Sequence, residues 1–163
     1  MSQLEGRSVA GKIEIVAGEA GHIVYLAQNM RQADKREVWA SCRATPLEAL
    51  EDSFTKSDET WVGLIDGKPF AMFGVGEVNL LAGIGAPWLL GTDEIEHHPM
   101  TVLRTSRRAM AYWQTRYRLL TNYVDGRNVV SQRWLQWAGF QLREQVMMGD
   151  VGFWRFEWRA RTD

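Results

Sequence analysis

The chain has one cysteine, four prolines and three histidines in 163 residues, and its formal net charge is −1. The lone Cys42 cannot close an intrachain disulfide and excludes a structural zinc site made of several thiolates. It lies in a stretch that reads as helical, so a reduced, partly buried thiol is expected. The near-zero charge argues against a broadly basic coat for nucleic acid. Only a local patch remains, built from Arg104, Arg107, Arg108, Arg116 and Arg118, and nucleic acid is not expected as a partner. No apolar run approaches the roughly 18 residues that span a bilayer, and no early segment shows the charged-then-apolar pattern of a secretory leader. The expected setting is therefore a soluble protein of the cytoplasm, with no membrane partner. Internal repeats, low-complexity tracts and linkers are also missing, which points to a single domain over residues 1–163 with a flexible lead-in at 1–11.

What is present is a substantial apolar fraction, 45%, and eight tryptophans. Such a load suits a well-filled core, with one or two indoles left to line a groove or an interface. Residues 12–17 and 22–27 alternate as short strands, the second with Ile23, Tyr25 and Ala27 on one face and Val24 and Leu26 on the other. From 31 to 41 the charges Asp34, Lys35 and Glu37 pair at helical spacing, with Arg43 beyond, around the apolar Val38 and Trp39. Thr45, Pro46 and Glu48 spell a helix start: N-cap, first-turn proline and capping-box carboxylate. A hairpin follows, with strands 60–65 and 68–78 about an Asp66-Gly67 turn. Residues 83–90 form another strand, although Pro87 argues against an ordinary central position in a sheet. Met100, Leu103, Met110, Trp113 and Tyr117 give a helix over 99–117 its buried stripe. A strand at 119–124, a helix at 127–138 stopped by Gly139, and strands at 141–148 and 153–158 complete the chain. This order calls for an α/β fold with a mixed central sheet covered by helices on both faces.

The segment 128–140 carries a more specific pattern. Asn128 starts the helix, the small Ser131 follows three residues on, and Gly139-Phe140 ends it and opens the next strand. With the element order, this resembles the GNAT (Gcn5-related N-acetyltransferase) family. More narrowly, Trp88-Leu89-Leu90-Gly91-Thr92, residues 104–108 and residues 122–140 resemble phage GNAT-like proteins related to the internal virion (core) protein of short-tailed phages.

The resemblance implies an acyl-CoA-dependent N-acetyltransferase, with acetyl-CoA or CoA held between two splayed parallel strands and no metal. It implies an amine as acyl acceptor. It places Leu90 on the splayed strand, Asn128 at the start of the last helix, and Arg104 and Arg107, with Arg108, on the helix that faces the phosphates. Glu77, at the end of the hairpin's return strand, is the candidate base, and His97 and His98, just before the helix start, are candidate donors to an anion or bases. Four family positions are filled against type. Glu96 stands where the phosphate loop has an arginine, Pro99 and Thr101 stand where it has glycines, and Leu135 stands at the usual tyrosine. The cluster Asp93, Glu94, Glu96, His97 and His98 lies in one loop, and adjacent residues seldom converge on a metal. These departures keep an alternative open: a GNAT-like scaffold without catalysis, serving as a binding or virion protein among other phage proteins.

Overall fold

The computed structural model describes residues 6–8 and 11–162. Most of the lead-in expected at 1–11 lies outside them. The strands are β1 (Gly6–Ser8), β2 (Gly11–Ala17), β3 (Ser57–Ile65), β4 (Lys68–Asn79), β5 (Ile84–Gly91), β6 (Leu119–Asp125), β7 (Gln141–Met148) and β8 (Val151–Arg159). They form one sheet in the order β1-β2-β3-β4-β5-β6-β8-β7. Every neighbouring pair is antiparallel except β5 with β6.

Local chemistry explains most of the elements. Asp66 and Gly67 both have positive φ, 49° and 80°, the backbone that turns a two-residue hairpin in the hand of the twisted strands. Residues 70–75 of β4 are buried without alternation, as a strand covered on both faces requires. Helix α2 is Gln32–Cys42 and helix α3 is Pro46–Lys56. The N-terminus of α3 carries the expected box: Glu48 N–H donates to Thr45 Oγ1 at 3.2 Å and Thr45 N–H to Glu48 Oε2 at 3.0 Å.

Three expectations are corrected. Residues 22–27 are not a strand: a 3-10 turn, Ala20–His22, runs into helix α1, Ile23–Gln28. Five apolar residues, Ile23 to Ala27, fit either period, and packing decides. Ile23, Leu26 and Met30 are buried at helical spacing while Val24 and Tyr25 are exposed. The long helix, α5 (Pro99–Trp113), stops before Tyr117 and follows a single-turn helix α4 (Glu94–His97). The Thr115 hydroxyl donates to the Tyr112 carbonyl at 2.6 Å, giving the backbone an alternative to another helical turn. Cys42, at the last position of α2, is a free thiol but an exposed one. The last helix, α6 (Val129–Ala138), ends as expected on Gly139 at φ 110°.

Helices α1–α3 cover one face of the sheet through Leu26, Val38 and Leu50 against Val62, Met72 and Leu90. Helices α5 and α6 lie over the other face, where Ala109, Met110, Trp113 and Leu135 meet Phe73, Leu120, Val124 and Phe156. Of the tryptophans, Trp113 is fully buried, five are half-buried, and Trp39 and Trp137 are exposed.

Candidate functional site

Strands β5 and β6 pair only at Ile84 with Leu119 and Gly85 with Leu120. Beyond Gly85 they diverge, and a cavity of about 210 Å³ opens between them. It passes through the plane of the sheet. On one side it is lined by Thr105, Met110, Trp113, Leu135 and Phe140 under α5 and α6; on the other it reaches Arg31, Asp34 and Glu37 of the α2 segment.

Pro87 sits in a central strand because of this divergence. Successive residues of a strand aim their backbone groups to opposite sides. The Pro87 carbonyl accepts from Asn122 Nδ2 at 3.0 Å, so the face on which proline has no N–H is the one turned to β6, where the ladder has already stopped. Gly91 lies on the same side of the strand. Its N–H donates to Asp34 Oδ2 at 2.9 Å and its carbonyl accepts from Arg31 N–H at 2.8 Å. Leu89, between them, therefore turns its N–H and C=O into the gap, and β6 pairs with neither.

The α2 mouth of the gap holds a buried charged cluster. Arg31 and Asp34 are 3% and 1% exposed, with Nη2 to Oδ1 at 2.8 Å. Arg31 also donates to Ser131 Oγ at 2.8 Å, reaches Glu96 at 3.4 Å and lies over the Trp134 ring, tying α2 to α6 across the divergence. Burial works against the guanidinium, but Asp34 and Glu96 outweigh it and hold its pKa above the usual arginine value. Glu37 is half-buried and accepts the Asp125 N–H at 2.8 Å. Burial is the main cause that pushes its carboxyl up to about 7. The nearby charges of Asp34 and Asp125 add to this, against the Asp125 N–H and Arg31. Asp125 itself is held below the usual carboxylate range: burial raises it, and the hydrogen bonds from Arg127, at 2.6 to 3.2 Å, outweigh that.

The structure brings together only some of the residues singled out by sequence. Leu90 lines the cavity and is buried. Asn128 caps α6, its Oδ1 accepting from Ser131 N–H at 3.2 Å, while its buried Nδ2 has no partner. Leu135 faces the cavity as an apolar wall. Arg104, Arg107 and Arg108 are exposed on α5 and do not line it; Arg107 Nε reaches the Trp137 carbonyl at 3.5 Å. Glu77 is exposed opposite Gly85, at the end where β5 and β6 are still paired, and does not line the cavity. Glu96 turns to Arg31 rather than to the start of α5, and Glu94 lies 3.4 to 3.6 Å from His97 and His98. Among the described residues, no three His, Cys, Asp or Glu side chains converge as metal ligands. No helix among the described residues is long and apolar enough to cross a membrane.

Arg31, Asp34 and Glu37 carry no family motif, and their spacing reads as an ordinary charged helix face. The one signal in sequence is Trp39 among those charges. It is 54% exposed, so α2 turns Asp34 and Glu37 inward and its indole outward, the reverse of the simple expectation.

No protein-family model matches the sequence, and no curated protein matches it. Solved structures do match in fold. A spermidine N-acetyltransferase from Vibrio cholerae, in complex with CoA and spermine, has a TM-score of 0.67 at 13% identity, over 90% of this chain and 95% of that one. An acetyltransferase of the GNAT family from Streptococcus pneumoniae has a TM-score of 0.61 at 13% identity, over 91% and 99%. The chain has the GNAT-like acyl-CoA N-acyltransferase fold, a mixed sheet between two layers of helices.

Proposed function

We propose that this single-domain protein binds the pantetheine arm of an acyl-CoA in the gap between β5 and β6 and transfers the acyl group to an amine. One observation carries the reading: two parallel strands that pair for two residues and then part around a cavity running through the sheet. The unpaired N–H and C=O of Leu89 offer an extended amide chain the hydrogen bonds that β6 withholds. The apolar wall under α5 and α6 fits the arm, and Leu90 lines its path. Asn128 fixes the start of α6, and Arg104 and Arg107, exposed on the outside of α5, are the candidates for phosphate charge. The phosphate grip itself lacks the glycine loop: Pro99 supplies no N–H, and Ile95 of α4 is buried just ahead of it.

A bound thioester supplies an activated carbonyl. An amine of pKa near 10.4 needs about 4.6 kcal/mol to be neutral at pH 7, so a proton acceptor beside the gap is required. A thiol of pKa near 8.5 leaves readily as thiolate, which lessens the need for a proton donor at Leu135. With its only cysteine free and exposed, the protein suits the reducing cytoplasm.

A second reading is favoured by Gly91. Its two backbone groups are already taken by Arg31 and Asp34, closing one end of the gap with the protein's own side chains. A non-catalytic scaffold would keep them so. Its narrower assignment to phage internal virion proteins, with other phage proteins as partners, rests on the sequence of 88–92, 104–108 and 122–140 alone.

Thermal denaturation with acetyl-CoA separates the two. At about 100 times Kd, binding adds about 2.7 kcal/mol, roughly 5–10 °C for a chain of this size. No shift at millimolar acetyl-CoA favours the scaffold.

A further inference from the structure

We propose that Glu37 takes the proton from the acceptor amine, which enters the gap from the α2 face. This rests on reading the gap as a thioester site. The two sides of the gap differ in chemistry. Under α5 and α6 the lining is mostly apolar and uncharged, with the hydroxyls of Thr101, Thr105 and Ser106 among it, while the α2 mouth presents Asp34 and Glu37 beside Arg31. Across the mouth, Asp125 at the end of β6 pairs with Arg127 of the following turn, and Glu96 approaches Arg31 from α4. Arg36 of α2 also acts on Asp125. Four carboxylates against three guanidiniums leave this mouth acidic, so it favours a cationic amine and disfavours an anionic acceptor.

Within the cluster, Glu37 alone combines access with a free acid–base function. Asp34 is committed to Arg31 and to the Gly91 N–H. Asp125 is clamped by Arg127. Glu96 lies outside the cavity lining. Glu37 lines the cavity, has no ion-pair partner within 4.0 Å among the described residues, and uses Oε1 to accept the Asp125 N–H. That bond fixes the carboxylate at the C-terminal end of β6 and leaves Oε2 for a ligand. A carboxyl that titrates near 7 is matched to proton transfer at physiological pH. In the step, the ammonium first gives one proton to Glu37, which passes it to solvent. The neutral nitrogen then attacks the thioester carbonyl carbon, the C–N bond forms and the C–S bond breaks, with the sulfur leaving as thiolate. The second proton leaves the nitrogen to Glu37 and from there to solvent.

The test measures thiol release from acetyl-CoA with putrescine, spermidine, lysine and ethanolamine, beside the acetyl-CoA thermal shift. Glu37→Gln keeps the acceptor for the Asp125 N–H and is expected to keep the thermal shift. Its kcat/KM should fall about 100-fold or more, and the extra slope below pH 7 in the wild-type profile should disappear. Glu37→Asp should restore part of the rate. Wild-type kcat/KM in Glu37→Gln, an unchanged pH profile, or loss on Glu77→Gln instead overturns the proposal, as does failure of every amine while acetyl-CoA binds. Absence of acetyl-CoA binding in the wild type strikes the reading of the gap itself.

Discussion

Arg31 and Asp34 show what a buried ion pair requires. Each is nearly inaccessible, and each also bonds beyond the pair, to the backbone of Gly91 or to Ser131, although Arg31 Nε is left without a partner. Removing one partner strands the other. Asp34→Ala should cost about 3–5 kcal/mol in urea denaturation, and Asp34→Asn less, because the amide oxygen can still accept from Gly91. Glu37 behaves in the opposite sense. Its folded-state pKa lies above the ordinary glutamate value, so the native state holds the proton more tightly than the unfolded chain. Stability from this group is therefore full below about pH 4.5 and is lost as pH rises towards 7. Glu37→Gln should be more stable than wild type by about 2–3 kcal/mol at pH 8. The gain should shrink to nothing near pH 4.5, as paired denaturation curves at the two pH values would show.

At the level of elements, the end of β5 depends on close contact. A Cβ on Gly91 would overlap the Ile95 side chain and the Phe70 carbonyl, so α4 seats only against a glycine. Gly91→Ala should cost roughly 1–3 kcal/mol, measured as a lowered denaturation midpoint with unchanged m-value. Elements whose ends are written in local chemistry were legible in the sequence: Thr45 and Glu48, Asp66 and Gly67, Asn128 and Gly139. Residues 22–27 were not, because five apolar residues carry no period until Leu26 and Met30 find their neighbours. The gap was only half legible. Pro87 announced a break in an ordinary sheet, but the side to which it turned depended on the pairing of β5. The charged mouth was not legible at all, because Arg31, Asp34 and Glu37 look in sequence like any solvated helix face.

Over the whole molecule, one irregularity organises the rest. A sheet of antiparallel neighbours contains a single parallel pair, and that pair separates after two residues. Helices on opposite faces then meet different ends of one cavity: an apolar wall from α5 and α6, a charged mouth from α2. Such an arrangement admits an extended, largely apolar arm from one side and a polar acceptor from the other. The most direct measurement is a crystal structure of the protein with a non-hydrolysable acetyl-CoA analogue at saturation. The account predicts the arm lying between β5 and β6, bonded to the N–H and C=O of Leu89, with its acyl end towards Glu37. An analogue bound elsewhere, or a gap left empty at saturation, would contradict it.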